Sequence, residues 1–122
     1  MKMNQKPFVL LVEDDEKLRW AIATNLNARG YLVFEAGSFS EAIEQFAIKP
    51  QLLILDIRLP DATGWDFLSW AQNVTAAVPT IVISGFMPER REIERFAPAK
   101  FLRKPFSIGQ LIGLVEASAP MS

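Results

Sequence analysis

Apolar residues are distributed along the chain in two alternating patterns. Short continuous runs at Phe8–Val12, Leu52–Leu55 and Thr80–Ile83 are strand-length and bounded by polar, Gly or Pro residues. Two more mixed runs of similar length lie at Tyr31–Ala36 and Lys100–Arg103. Between them, apolar positions recur every three or four residues, as on one face of a helix. Residues 16–29 bring Leu18, Ala21, Ile22 and Leu26 to one face, and Gly30 follows as a stop. Residues 40–48 do so with Ala42, Ile43, Phe46 and Ala47, and Ser38 with Glu41 reads as a capping box. Residues 65–72 carry Phe67, Leu68 and Ala71. Residues 88–96 open on Pro88, suited to a first helical position, and must end by Pro98. Residues 107–118 gather Ile108, Leu111, Ile112 and Val115 behind a Ser107 cap.

Strands and helices thus alternate strictly. This predicts an α/β fold: a five-stranded parallel sheet, doubly wound, with helices on both faces. Strands buried on both sides read as continuous apolar runs. The first, third and fourth strands do. The second contains Glu35 and the fifth is flanked by Lys100 and Arg103, so both suit the edges. The strand order 2-1-3-4-5 satisfies these constraints. With no internal repeat or linker, residues 1–122 read as one domain with a core at about 8–116.

Composition narrows the chemistry. Cysteine and histidine are both missing from the sequence. That excludes disulfide frameworks, thiolate and imidazole metal sites, and Ser-His-Asp or Cys-His nucleophile systems. The net charge is −1, and the signs cancel along Glu89–Arg95, where Arg90 and Glu94 are spaced to pair, so no nucleic-acid footprint is expected. The apolar runs fall far short of the roughly 20 residues a membrane span needs. The opening Met-Lys-Met-Asn-Gln-Lys-Pro lacks the apolar segment of a secretory signal. A cytoplasmic protein without membrane contact is expected.

In a sheet of this order, ligands bind outside the carboxyl ends of the strands, where the order reverses. The first strand ends in Glu13, Asp14 and Asp15, the third in Asp56, the fourth in Ser84 and Gly85, the fifth in Lys104 and Pro105. Carboxylates crowded at one edge repel and raise one another's pKa. A hard divalent cation relieves this, and Mg²⁺ needs only one or two carboxylates plus phosphate oxygens. Glu13, Asp14 and Asp56 balance one Mg²⁺ and the Lys104 ammonium. Such a site suits phosphoryl transfer onto a carboxylate, forming an acyl phosphate. Asp56, at the mouth of a rigid central strand, is the best nucleophile. The Ile57-Arg58-Leu59-Pro60 loop after it has backbone N–H groups that can face a phosphate.

The chain resembles the receiver domain of two-component response regulators over about Phe8 to Val115. The resemblance rests on Leu-Val-Glu-Asp-Asp at 11–15, Leu-Asp-Ile-Arg-Leu-Pro at 55–60, Thr-Gly at 63–64, Ile-Ser-Gly at 83–85 and Lys-Pro-Phe at 104–106, all in order. It implies that Asp56 accepts the phosphoryl group. It implies that Asp14, Glu13 (partly through water), Asp56 and the Arg58 carbonyl hold Mg²⁺, or Mn²⁺ in its place. Ser84, Lys104 and the Ile57 and Gly85 N–H groups would bind the phosphoryl group, across a cis Lys104–Pro105 bond. Phe101 falls at an aromatic switch position. The donor would be a sensor histidine kinase, a phosphotransfer protein or a small phosphodonor. Phosphorylation would turn Ser84 inward, let Phe101 rotate, and reshape the face of the fourth helix, fifth strand and fifth helix toward an effector or a second copy.

Some features depart from the family pattern. The segment from Ser84 to Lys104 is slightly short and contains Pro98, so the fourth helix should be short, anchored by Ile93 and Phe96, and reshaped or mobile. Phe101 lacks a tyrosine hydroxyl. Gly109 and Gly113 weaken the fifth helix unless they permit close packing on the sheet or a partner. Trp20, Trp65 and Trp70 lie off the main apolar stripes; they read first as packing filler and second as a partner surface. Arg58 and Arg103 read as solvated, or as guides for an anionic donor. Three other functions compete: a pseudo-receiver serving as a constitutive interaction module, an aspartate phosphatase and a flavin carrier. The complete acidic set with Ser84 and Lys104 opposes the first. Arg58, where the phosphatase needs a second aspartate, opposes the second. Glu13-Asp14-Asp15, where a flavin phosphate would sit, opposes the third.

Overall fold

The computed structural model describes residues 7–74, 78–96 and 99–119. Five parallel strands, β1 (Phe8–Val12), β2 (Leu32–Ala36), β3 (Leu52–Asp56), β4 (Thr80–Ser84) and β5 (Lys100–Arg103), form one sheet in the order β2-β1-β3-β4-β5. The expected order and both edge assignments hold. β3 and β4 are buried at every position, whereas β2 and β5 are exposed at both Leu32 and Glu35 and at both Lys100 and Arg103.

Alternation along the strands splits the core in two. Val9, Leu11, Ile54, Ile81 and Ile83 face α1 (Glu16–Ala28) and α5 (Ile108–Ser118), meeting Ile22, Leu26, Leu111 and Val115. Leu10, Val12, Leu53 and Leu55 face the other side and meet Ala42, Phe46, Phe67, Leu68 and Phe96. That side is covered by α2 (Phe39–Gln45), a 3-10 turn at Phe46–Ile48, α3 (Gly64–Val74) and the residue following α4 (Arg90–Arg95).

Caps explain the helix starts. Asp15 accepts from the Lys17 and Leu18 N–H groups to open α1, and Ser107 exchanges bonds with Gln110 to open α5. α1 ends where Gly30 takes a positive φ of 96°. The expected Ser38–Glu41 box is half formed. Ser38 Oγ accepts from the Glu41 N–H, but the Glu41 carboxylate reaches the Gly37 N–H instead. A second clamp holds the first turn: Asp61, on the loop after β3, accepts from the Phe39 and Ser40 N–H groups at 2.8 and 3.1 Å. These bonds, the Phe39 one foremost, hold the Asp61 carboxyl below its usual pKa.

Several boundaries and contacts differ from expectation. The 40–48 helix breaks after Gln45 into the 3-10 turn, which closes with Lys49 at a left-handed φ of 58°. The fourth helix is six residues long, shorter than the 88–96 pattern, and Arg90 pairs with Glu94 as spaced. Phe96 anchors it, but Ile93 is an exposed side chain because the short helix does not turn it onto the sheet. Pro98 lies outside the described residues. Trp65, stacked on Phe96 with centroids 4.9 Å apart, and Trp70, on Phe46 and Phe67, are half-buried packing filler as expected, but Trp20 is 67% exposed. Gly113 is exposed, and a Cβ there would meet nothing within 4 Å, so sheet packing does not require glycine. Gly113→Ala should therefore raise the unfolding midpoint, by up to about 1 kcal/mol of stability, as read by thermal or urea unfolding.

Candidate functional site

Four strand ends converge at the carboxyl edge of the sheet. Asp56 closes β3 and is 4% exposed, held by the ladder to β4 through Asp56–Ile83. Glu13 follows β1 and is fully buried. Asp14 beside it is exposed. One carboxylate oxygen from each of Glu13, Asp14 and Asp56 lies within 4.8 Å of the others.

Lys104, after β5, brings the counter-charge. Its Nζ donates to Asp56 Oδ2 at 2.9 Å and lies 2.7 Å from Glu13 Oε1. The contact to Glu13 is ionic and outside hydrogen-bonding geometry, so the buried Oε1 is left without a hydrogen-bond partner. Glu13 Oε2 accepts from the Asp15 N–H at 3.1 Å. Burial, with the Asp56 carboxyl adding to it, pushes the Glu13 pKa up to about 8. For Lys104, burial works against the ammonium, but the contacts with Glu13 and Asp56 outweigh it and raise its pKa. The Lys104–Pro105 peptide is cis.

With Glu13 ionised, three carboxylates against one ammonium leave an excess of two negative charges, and the donors are hard oxygens. That set of three carboxylates within reach of one another fits a hard divalent cation.

The remaining candidates lie just after β3, at the end of β4 and on β5. The Ile57 N–H extends the ladder to Ile83 O at 3.4 Å, and so is turned toward the sheet. The amide that meets the carboxylate is Arg58's, on Asp56 Oδ1 at 3.1 Å. Ser84 is buried at the end of β4; its Oγ accepts from the Phe86 N–H at 3.1 Å, which leaves its own proton to donate elsewhere. Gly85 is exposed next to it. The Arg58 guanidinium stacks 4.3 Å over the exposed Phe86 ring, so Arg58 is not simply solvated; Arg103 is exposed. Phe101 is half-buried beside Trp65, whose ring centroid is 6.2 Å away, and borders a small cavity of about 50 Å³ with Ser84 and Met87.

Two supports escaped the sequence reading. Arg19 NH1 donates to the Glu13 carbonyl at 2.7 Å, and Asp61 ties the acceptor loop to α2. Both look like surface charges in the sequence; only their neighbours in space mark them.

The fold recurs among known proteins. Residues 9–116 match the response regulator receiver domain. The chain is 38% identical to the KDP operon transcriptional regulatory protein KdpE of Escherichia coli over 84% of its length and 47% of that protein's. It is 37% identical to the transcriptional regulatory protein PdtaR of Mycobacterium tuberculosis, over 88% of this chain and 54% of that one. The chain thus spans about half the length of these curated relatives. The non-phosphorylated HemR receiver domain from Leptospira biflexa superposes with a TM-score of 0.85 at 29% identity, covering 93% of this chain and 94% of that one. No described helix is long and apolar enough to cross a membrane. Matched from β1 to α5 and built on the same sheet, the chain belongs to the response regulator receiver domain family of two-component systems.

Proposed function

We propose that this receiver domain is a phosphorylation-dependent switch that accepts a phosphoryl group on Asp56 from a sensor histidine kinase, a phosphotransfer protein or a small phosphodonor. The observation that carries the proposal is the Lys104 ammonium bridging Asp56 Oδ2 and Glu13 Oε1 at the mouth of a buried strand. The strand fixes the nucleophile, and the ammonium stands where charge develops on the transferring oxygens. One Asp56 oxygen attacks phosphorus, the bond from phosphorus to the donor breaks, and the donor leaves with that electron pair. Glu13, Asp14, Asp56 and the Arg58 carbonyl would hold Mg²⁺, or Mn²⁺. Bound there, the cation would offset charge on the phosphoryl oxygens.

The product carries more negative charge than the carboxylate and several acceptor oxygens. Ser84 has a free proton to donate to it. Phe101 borders the cavity beside Ser84, and its contact with Trp65, which stacks on Phe96, links β5 to α3 and the end of α4. A change at Ser84 would thereby reach β5 and the end of α4, and an effector or a second copy on the α4–β5–α5 face would read it as a population shift. Beryllofluoride with Mg²⁺ should move nuclear magnetic resonance signals of Phe101, Trp65 and α5; changes confined to the acidic cluster would contradict the switch.

The acceptor role is tested by incubating the protein with acetyl phosphate and Mg²⁺. Intact mass should rise by about 80 Da, one phosphoryl group, and Asp56→Asn should abolish the gain. An unmodified mass under these conditions would instead favour a constitutive interaction module, and sustained release of inorganic phosphate from a stable phosphate ester would favour an enzyme.

A further inference from the structure

The Glu13 backbone is held from both sides, and one of those holds is a side chain that the proposed chemistry does not use. β1 pairs with β2 as far as Val12–Ala36. The Glu13 N–H adds one more bond, to Ala36 O at 3.0 Å, and there the ladder stops. The Glu13 carbonyl, one residue before Asp14, has Arg19 as its partner, with NH1 donating at 2.7 Å. A helical side chain leans back toward its own N-terminus, so α1 delivers Arg19 to the strand end it has just left. Arg19 Nε pairs with the Glu35 carboxylate on β2 at 3.2 Å, and the arginine side chain is only 18% exposed. The guanidinium fills a slot beside Gly37, where a Cβ would come within 2.9 Å of NH1.

We infer that Arg19 is a positioning residue for the metal-ligating acids: it pins the Glu13–Asp14 peptide plane and so fixes the direction in which Asp14 enters the cluster. Glu35 neutralises the guanidinium locally, so that its charge does not oppose a cation nearby. The inference rests on reading Glu13, Asp14 and Asp56 as a cation site.

Charge and position give opposite signs, which makes the inference testable. If Arg19 acted only through its charge, Arg19→Met would leave Glu35 unpaired and tighten cation binding. If it positions the peptide, Arg19→Met weakens binding, by about tenfold, as for other groups that orient a metal ligand.

Mg²⁺ titration calorimetry on the unsubstituted chain, Arg19→Met and Arg19→Lys separates the cases. The rate of phosphoryl uptake from acetyl phosphate is followed against Mg²⁺ in parallel. The expected result is a dissociation constant raised about tenfold in Arg19→Met and less in Arg19→Lys, which keeps the charge and one donor. The rate at saturating Mg²⁺ should be preserved, a split that general loss of stability would not produce. If Arg19→Met does not fold, Arg19→Lys decides alone. Unchanged or tighter Mg²⁺ binding in the folded variants would overturn the positioning role. No Mg²⁺ uptake by the unsubstituted chain would overturn the cation reading itself, and this inference with it.

Discussion

Lys104→Met is expected to destabilise the protein without Mg²⁺ by about 3–5 kcal/mol at pH 9, and by much less at pH 5. Removing one partner of a buried ion pair leaves the other uncompensated, and here Lys104 faces two carboxylates, Glu13 and Asp56. The pH dependence follows from Glu13, whose pKa in the folded chain is raised from 4.5 to about 8. An acid that holds its proton more tightly when folded favours folding at low pH. The Glu13 contribution is fully present below about pH 4.5 and is lost as pH rises through about 8. In the unsubstituted chain this decline should be on the order of a few kcal/mol in chelator, and Mg²⁺ should recover it. In Lys104→Met the neutral form of Glu13 is favoured further, so the decline continues past pH 8 and the difference between the two proteins widens with pH. Urea unfolding at pH 5, 7 and 9 in chelator checks the sign; a difference that narrows with pH would contradict it. Phosphoryl uptake from acetyl phosphate should also slow by at least about tenfold, since removing one preorganised charge-stabilising group typically costs that much or more.

Gly64→Ala is the second large effect, and its origin is steric. A Cβ on Gly64 would overlap Asp56 O and lie 2.9 Å from Ile57 Cα and 3.1 Å from the Asp56 carbonyl carbon. Each of these atoms is backbone, so no flexible side chain can yield. The Gly64 N–H also donates to Ile57 O at 2.7 Å, drawing the start of α3 onto the end of β3. Alanine must push α3 away from the strand that carries Asp56. The expected cost is about 2–3 kcal/mol, roughly 6 °C or more in the unfolding midpoint for a domain of this size. Phosphoryl uptake should fall even at temperatures where the variant is folded, because the Arg58–Thr63 turn moves with the helix. A variant with an unchanged midpoint would show that the close approach is not needed.

The sequence made much of this arrangement legible, for identifiable reasons. The buried strands β3 and β4 are continuous apolar runs, and Glu35, Lys100 and Arg103 mark the edges, so burial assigned the edges and the common order of doubly wound sheets supplied the rest. Once the order is known, Glu13, Asp14, Asp56, Ser84 and Lys104 fall at one edge by topology. What escaped depends on side-chain direction. Trp20, read first as packing filler, is exposed, whereas Trp65 and Trp70 pack on Phe96, Phe46 and Phe67 as that reading expects. Ile93 sits on a helix too short to fix its facing. The Ile57 amide belongs to the ladder because β3 and β4 stay paired one residue beyond the apolar run. Arg19 and Asp61 are charged residues on a helix and a loop, and their partners lie on other elements.

The most direct test of the central claim is chemical localisation of the modified side chain. Protein treated with acetyl phosphate and Mg²⁺ is reduced with borohydride, which converts an aspartyl phosphate to homoserine, and the peptides are mapped by mass spectrometry. The peptide containing Asp56 should become about 14 Da lighter, the change from aspartate to homoserine by way of the acyl phosphate, with no such change when acetyl phosphate is omitted. Conversion at Asp14, Asp15 or Asp61 with Asp56 intact, or no conversion at all, would contradict the account.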